Sequence, residues 1–291
     1  MDRRGWSELL PVVQRVLGRL ETLLPGSDRD PPRSEDPDPW AYRWRRDRLE
    51  AVHRLDLFEL ETLIGVERSV LRLRVNLEAF VSGAPALDTL LYGDRGTGKS
   101  SAVRGLLGEF GSAGLRLVEV RPHDLVSLPE VIEGLQGFKG RFVLYSDDLA
   151  FEEADPAYRE LKSALEGGLE RRPENVLIVA TSNRRHLVPE RAWENALPQA
   201  GAEDLHPDET REDKLGLFDR FGLLLPFFRF DQPTYLRIVD HYAETLGLAG
   251  RMPREDLHRR ALRFALERGS RSGRAARQFC VLALQETGDR A

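Results

Sequence analysis

The chain has 291 residues, 41% of them hydrophobic and 31% charged, with a formal net charge of −5. That length accommodates one large α/β domain plus a smaller one, and the acidic balance gives no support to non-specific nucleic-acid binding, which would need a local basic patch. A single cysteine excludes an internal disulfide, no apolar run approaches membrane-spanning length, and the start "MDRRGWSELLPVV" lacks the h-region and cleavage site of a signal peptide, so the expected location is the cytoplasm.

The first predicted element is an amphipathic helix over 5–24, with Trp6, Leu9, Leu10, Val13, Leu17 and Leu20 on one face. It would pack on the main body or dock a partner. The stretch "PGSDRDPPRSEDPDPW" then reads as a Pro/Asp-rich linker. Residues 40–80 read as helical. Their opening, "AYRWRRDRLE", sets Arg43, Arg45, Arg46 and Arg48 beside Tyr42 and Trp44. That grouping is compatible with a nucleic-acid contact, but the interspersed acids favour a solvated helix face.

From Leu87 the pattern alternates between strands, expected at 88–92, 115–120, 141–146, 176–181 and 223–230, and helices, notably 99–110, 128–136 and 157–171. The first strand runs into "GDRGTGKSS". There Gly93, Gly98, Lys99 and Ser100 match G-x-x-x-x-G-K-[ST]. Glycines let backbone N–H groups approach a phosphate, and the following helix presents its positive end. Lys99 would reach the β- and γ-phosphates and the Ser100 hydroxyl would sit on Mg²⁺. The loop therefore predicts a nucleoside triphosphate held by Gly93, Asp94, Arg95, Gly96, Thr97, Gly98, Lys99, Ser100 and Ser101.

The strand expected at 141–146, "RFVLYSDDL", ends in two carboxylates at the carboxyl edge of the sheet, where ligands bind in open α/β folds. Asp147 would hold Mg²⁺ through its water shell, and Asp148 would orient or deprotonate the attacking water. Glu is the usual residue at the second position. Asp is one methylene shorter, and Glu152 and Glu153 rank below it as substitutes. In "VLIVATSNRR", Asn183 stands at a strand tip, where it can polarise a water. Arg220, in "FDRFG", can stabilise charge on a transferring phosphoryl group.

From 232 onward three helices are expected, over 233–246, 253–268 and 273–286. Cys280 lies on the apolar stripe of the last and is read as core. In "GSRSGRAARQF", Arg274 or Arg277 could reach back to the nucleotide; Arg274 is preferred because Gly273 permits close backbone approach.

Together these motifs resemble an AAA+ ATPase, in the order Walker A, Walker B, sensor 1 Asn, arginine finger and helical lid with a sensor 2 Arg. "YGDRGTGKSS", "SDDLAFEE", "DRFGLLLPF" and "SGRAARQF" are similar, more narrowly, to a bacterial AAA+ family labelled "domain of unknown function 815", over roughly residues 45–290. The resemblance implies a P-loop αβα sandwich with a parallel five-stranded sheet in the order 5-1-4-3-2, followed by a small all-helical lid. Residues 1–40 would be the N-terminal helix and linker, 41–231 the nucleotide-binding domain and 232–291 the lid. The resemblance also implies ATP rather than GTP, with Leu63, Ile64, Gly65 and Val66 against the adenine; no guanine motif is present. It further implies a homo-oligomer in which Arg220 acts on a neighbour's nucleotide. The expected work is ATP hydrolysis that remodels or loads a protein or protein–nucleic-acid partner. The alternatives are a slow nucleotide-dependent switch and a DNA-associated loader.

Overall fold

A computed structural model describes residues 39–150, 155–167, 172–183 and 217–288. The helix expected over 5–24, its linker up to residue 38, and the carboxylates Glu152 and Glu153 lie outside the described residues.

Among the described residues, seven strands form one sheet: β1 (Ala41–Arg45), β2 (Arg48–Ala51), β3 (Thr89–Gly93), β4 (Leu115–Glu119), β5 (Arg141–Ser146), β6 (Val176–Ser182) and β7 (Leu223–Phe227). Their order is β2-β1-β4-β5-β6-β3-β7. Strands β3 to β7 are the five expected parallel strands in the expected order, and β1 extends them by pairing parallel to β4. Among the described residues, only β1 and β2 pair antiparallel.

That hairpin corrects the expectation of helix over 40–80 and of a five-stranded sheet. Arg45 pairs with Arg48, so Arg46 and Asp47 form a two-residue turn. Both have positive φ, 49° and 58°, as a tight hairpin with native twist requires. Arg43 donates to Glu119 of β4 at 2.5 Å, and Arg48 to Glu50 at 3.1 Å. The arginines are thus distributed along a hairpin and its turn. After a single 3-10 turn at Leu60–Thr62, α-helix within 40–80 begins at α1 (Glu67–Val81), which buries Val70, Leu73, Leu77 and Phe80.

Consecutive residues of the central strands enter opposite cores. Leu91, Leu117, Val143 and Val179 pack with α1 and α2 (Lys99–Phe110). Leu90, Val118, Leu144 and Ile178 pack with α3 (Leu128–Leu135) and α4 (Pro156–Glu166). Period-2 side-chain alternation buried on both faces is what a parallel sheet between two helical layers demands.

Among the described residues, three helices follow β7: α5 (Gln232–Thr245), α6 (Arg254–Glu267) and α7 (Gly273–Gly288). Asp231 caps α5 by accepting from Thr234 N at 2.9 Å. Cys280 is fully buried, and its thiol donates to Val239 O at 3.6 Å. Burial pushes that thiol up to about 12, so it packs as a small apolar group.

Candidate functional site

The site lies where β3, β5 and β6 end, between α2 and the C-terminal helices. The segment before α1 runs along α2 in the opposite direction. Leu57 lies against Gly108, Leu60 against Gly105 and Leu63 against Gly98. At Gly105 a Cβ would stand 2.8 Å from the backbone oxygen of Phe58, which cannot turn aside as a side chain can, so the close approach requires glycine there. This places Leu63 and Ile64 beside the phosphate loop.

The loop itself turns through Gly98, which precedes α2 with φ 105°. Lys99 is 6% exposed, and its ammonium donates to Gly93 O at 3.0 Å, Asp94 O at 2.7 Å and Asn183 Oδ1 at 2.8 Å. Burial lowers its pKa to about 8, against the opposing pull of Asp148, Asp94 and Asp147. A buried cation whose hydrogen-bond partners among the described residues are all neutral is poised for an anionic ligand.

Asp147 leaves the end of β5 and accepts three hydroxyl donors on Oδ1. They are Ser100 at 2.8 Å, Tyr145 at 2.8 Å and Thr181 at 2.5 Å. Burial works to raise its pKa, but the donors and the Lys99 charge outweigh it and hold the carboxyl below its usual range. Asp148 has φ 56°, a left-handed conformation that Asp tolerates. Its N–H donates to Thr181 Oγ1 at 2.8 Å, and its Oδ1 accepts from Asn183 Nδ2 at 2.6 Å. Asn183 thereby bridges Lys99 and Asp148 through its two amide atoms.

These groups line one cavity of about 720 Å³, a volume in the range of small-molecule sites. Ile64, Arg95, Gly96, Thr97, Gly98, Lys99, Ser100, Ser101, Asp147, Asp148, Asn183, Arg274 and Arg277 are all in its wall. Gly65, Gly93, Asp94 and Arg220 are not. Gly65 stands behind it, packed on Thr234 and Phe230, with its N–H given to Glu67 at 2.8 Å. Val66 is in the core. Gly93 is paired with Phe227 in the sheet, and it and Asp94 contribute carbonyls to Lys99. Arg220 is bonded to Glu166 at the end of α4.

At the far wall, Arg274 N donates to Gly96 O at 3.4 Å. Gly96, with φ 74°, makes this approach feasible, since its Cβ would lie 3.0 Å from both Ser272 Oγ and Arg274 Cβ. A Cβ on Gly273 would meet Gly96 O at an ordinary 3.5 Å, so the glycine that matters is the one in the loop.

Sequence reasoning missed Tyr145 and Thr181 on the Asp147 carboxylate, and Phe230, Ile238 and Tyr242 in the wall. Tyr145 had a signal, because residues two apart on a strand share a face. The others come from elements distant in sequence.

A family model described as "Protein of unknown function (DUF815)" matches residues 37–286. The chain belongs to that family. No curated protein matches this DUF815 member. Among solved structures it is similar to a proline-to-glycine mutant of Thermotoga maritima RuvB, with a TM-score of 0.50 and 18% identity, over 76% of this chain and 63% of that one. It is also similar to the structure named Thermotoga maritima RuvB Holliday junction branch migration motor, with a TM-score of 0.41 and 16% identity, over 78% of this chain and 71% of that one. The first likeness shows a shared fold. The DUF815 chain spans about 63% of the length of that structure.

Proposed function

We propose that this DUF815 protein binds ATP with magnesium and hydrolyses it, using the cycle to remodel or load a protein or protein–nucleic-acid partner. One observation carries the reading. A buried Lys99 and Ser100 on a phosphate loop face Asp147, Asp148 and Asn183 across one cavity, with Arg274 and Arg277 closing it. The loop's N–H groups and Lys99 would hold the phosphates. Leu63, Ile64, Ile238 and Tyr242 offer an apolar berth for a base.

Ser100 Oγ and the Asp147 carboxylate are hard oxygen donors in direct contact, a pair suited to Mg²⁺, which takes few protein ligands beside substrate phosphates. When bound, the ion would neutralise charge on the phosphates. Asp148, turned toward Asn183, would orient the attacking water.

Arg220 lies away from its own chain's cavity, which supports a role in a neighbouring subunit's site within a homo-oligomer. The shorter Asp148, tied to Asn183, favours a second reading, a slow nucleotide-dependent switch. Among the described residues no helix is long and apolar enough to cross a membrane. A cytoplasmic setting is part of the proposal.

Calorimetric titration tests the central step. ATP with Mg²⁺ binds the native protein, and Lys99→Ala abolishes binding because the phosphate charge loses its buried partner. Unchanged affinity in the variant would overturn the site.

A further inference from the structure

The Asp147 carboxylate is held in a way that the phosphate-loop reading does not require. Among the described residues, the hydrogen bonds it accepts all fall on Oδ1, which leaves Oδ2 for a cation's water shell. One donor, Ser100, is itself a prospective ligand of the cation. The other two belong to the framework. Tyr145 lies two residues earlier on β5, is 5% exposed and reaches Oδ1 at 2.8 Å. Thr181 stands on the adjacent strand β6, is 1% exposed and reaches Oδ1 at 2.5 Å.

The proton on Thr181 has a fixed direction. Its Oγ1 already accepts from Asp148 N at 2.8 Å, and its hydroxyl hydrogen is committed to Asp147. Its carbonyl accepts from Leu149 N at 2.7 Å. One threonine therefore pins three consecutive residues of the turn after β5. The Tyr145 hydroxyl faces a carboxylate oxygen, to which a phenol can only donate.

We infer that Tyr145 and Thr181 are positioning residues that orient the Asp147 carboxylate toward magnesium, so that metal use in this protein depends on two hydroxyls outside the loop. The inference rests on the nucleotide reading above. Groups that orient a metal ligand typically change metal affinity by about 10–100-fold when removed.

Tyr145→Phe removes one hydroxyl and leaves the ring, and Thr181→Val replaces a hydroxyl with a methyl of similar size. ATP binding is measured by calorimetry in EDTA and across a magnesium series. The expected result is metal-free ATP affinity within about 2-fold of the native protein, with half-saturating magnesium raised about 10-fold and restored in Thr181→Ser. A magnesium dependence equal to the native one in Tyr145→Phe overturns the inference. So does an equal loss of metal-free and magnesium-dependent binding with a lowered melting point, which would mark both residues as packing alone. Should Thr181→Val fail to fold, Tyr145→Phe decides. Absence of ATP binding by the native protein under all conditions overturns the nucleotide reading itself, an outcome distinct from an unchanged magnesium profile.

Discussion

At the scale of single residues, Asp148 combines a conformational cost with a polar contact. A non-glycine residue at φ 56° costs on the order of 1 kcal/mol relative to ordinary backbone. The Thr181 hydroxyl, accepting its N–H, and the Asn183 amide, donating to its carboxylate, compensate. The same geometry separates its role from that of Asp147, which touches Ser100 while Asp148 touches Asn183. Asp148→Asn is therefore expected to keep nucleotide affinity and lose turnover, by about 100-fold or more if the carboxylate acts on the water. Binding and phosphate release measured on one preparation check this. Surviving turnover in Asp148→Asn, with loss in Glu152→Gln, would transfer the role to Glu152.

Among the elements, α5 and α6 are joined by an ion cluster. Asp240 accepts from Arg254 and His258, each at 2.6 Å. Burial works to raise the Asp240 pKa, but these two partners outweigh it and the carboxyl is held below its usual value. A depressed folded-state pKa contributes stability that is present above the unfolded value, about 3.9, and lost as pH falls through the folded one. Asp240→Asn should lower the melting point at pH 7 by a few degrees, from a loss of about 1 kcal/mol. The gap between variant and native protein should begin to narrow below about pH 4 and close as pH falls through the folded value. Thermal melts at pH 7 and pH 3 test this, and a gap that does not change with pH would remove the charge from the explanation.

For the whole molecule, Arg220 precedes β7 and bonds to Glu166 at the end of α4, away from the cavity. If it serves a neighbour's nucleotide, Arg220→Ala and Lys99→Ala should each be inactive alone. Mixed, they can place an intact loop opposite an intact arginine, and partial activity should return and rise with protein concentration. A trans arginine is worth about 10³–10⁵ in rate in other P-loop systems, so the effect is large. Phosphate release across a mixing titration is the measurement. A mixture that stays inactive while light scattering reports co-assembly would remove the trans role, and full activity of Arg220→Ala alone would favour a monomeric switch.

Local pattern determined the parallel strands, the helices after them and the phosphate loop. Buried parallel strands carry near-continuous apolar runs, and a loop that cradles phosphate needs its glycines and lysine at fixed spacing. The same pattern placed Cys280 in the core, because a helical stripe repeats at i, i+3 and i+4. It failed at β1–β2, where Arg46 and Asp47 make the turn without glycine or asparagine and charges crowd the short strands. What makes that segment a hairpin is pairing with β4, more than 70 residues away. Tertiary structure alone also decided that Thr181 holds Asp147. Tyr145 pairs with Val179 and Ser146 with Ala180, so the β5–β6 register carries Asp147 alongside Thr181. A hydrogen bond between strands depends on register, and register is a property of the folded sheet that neither strand's sequence states.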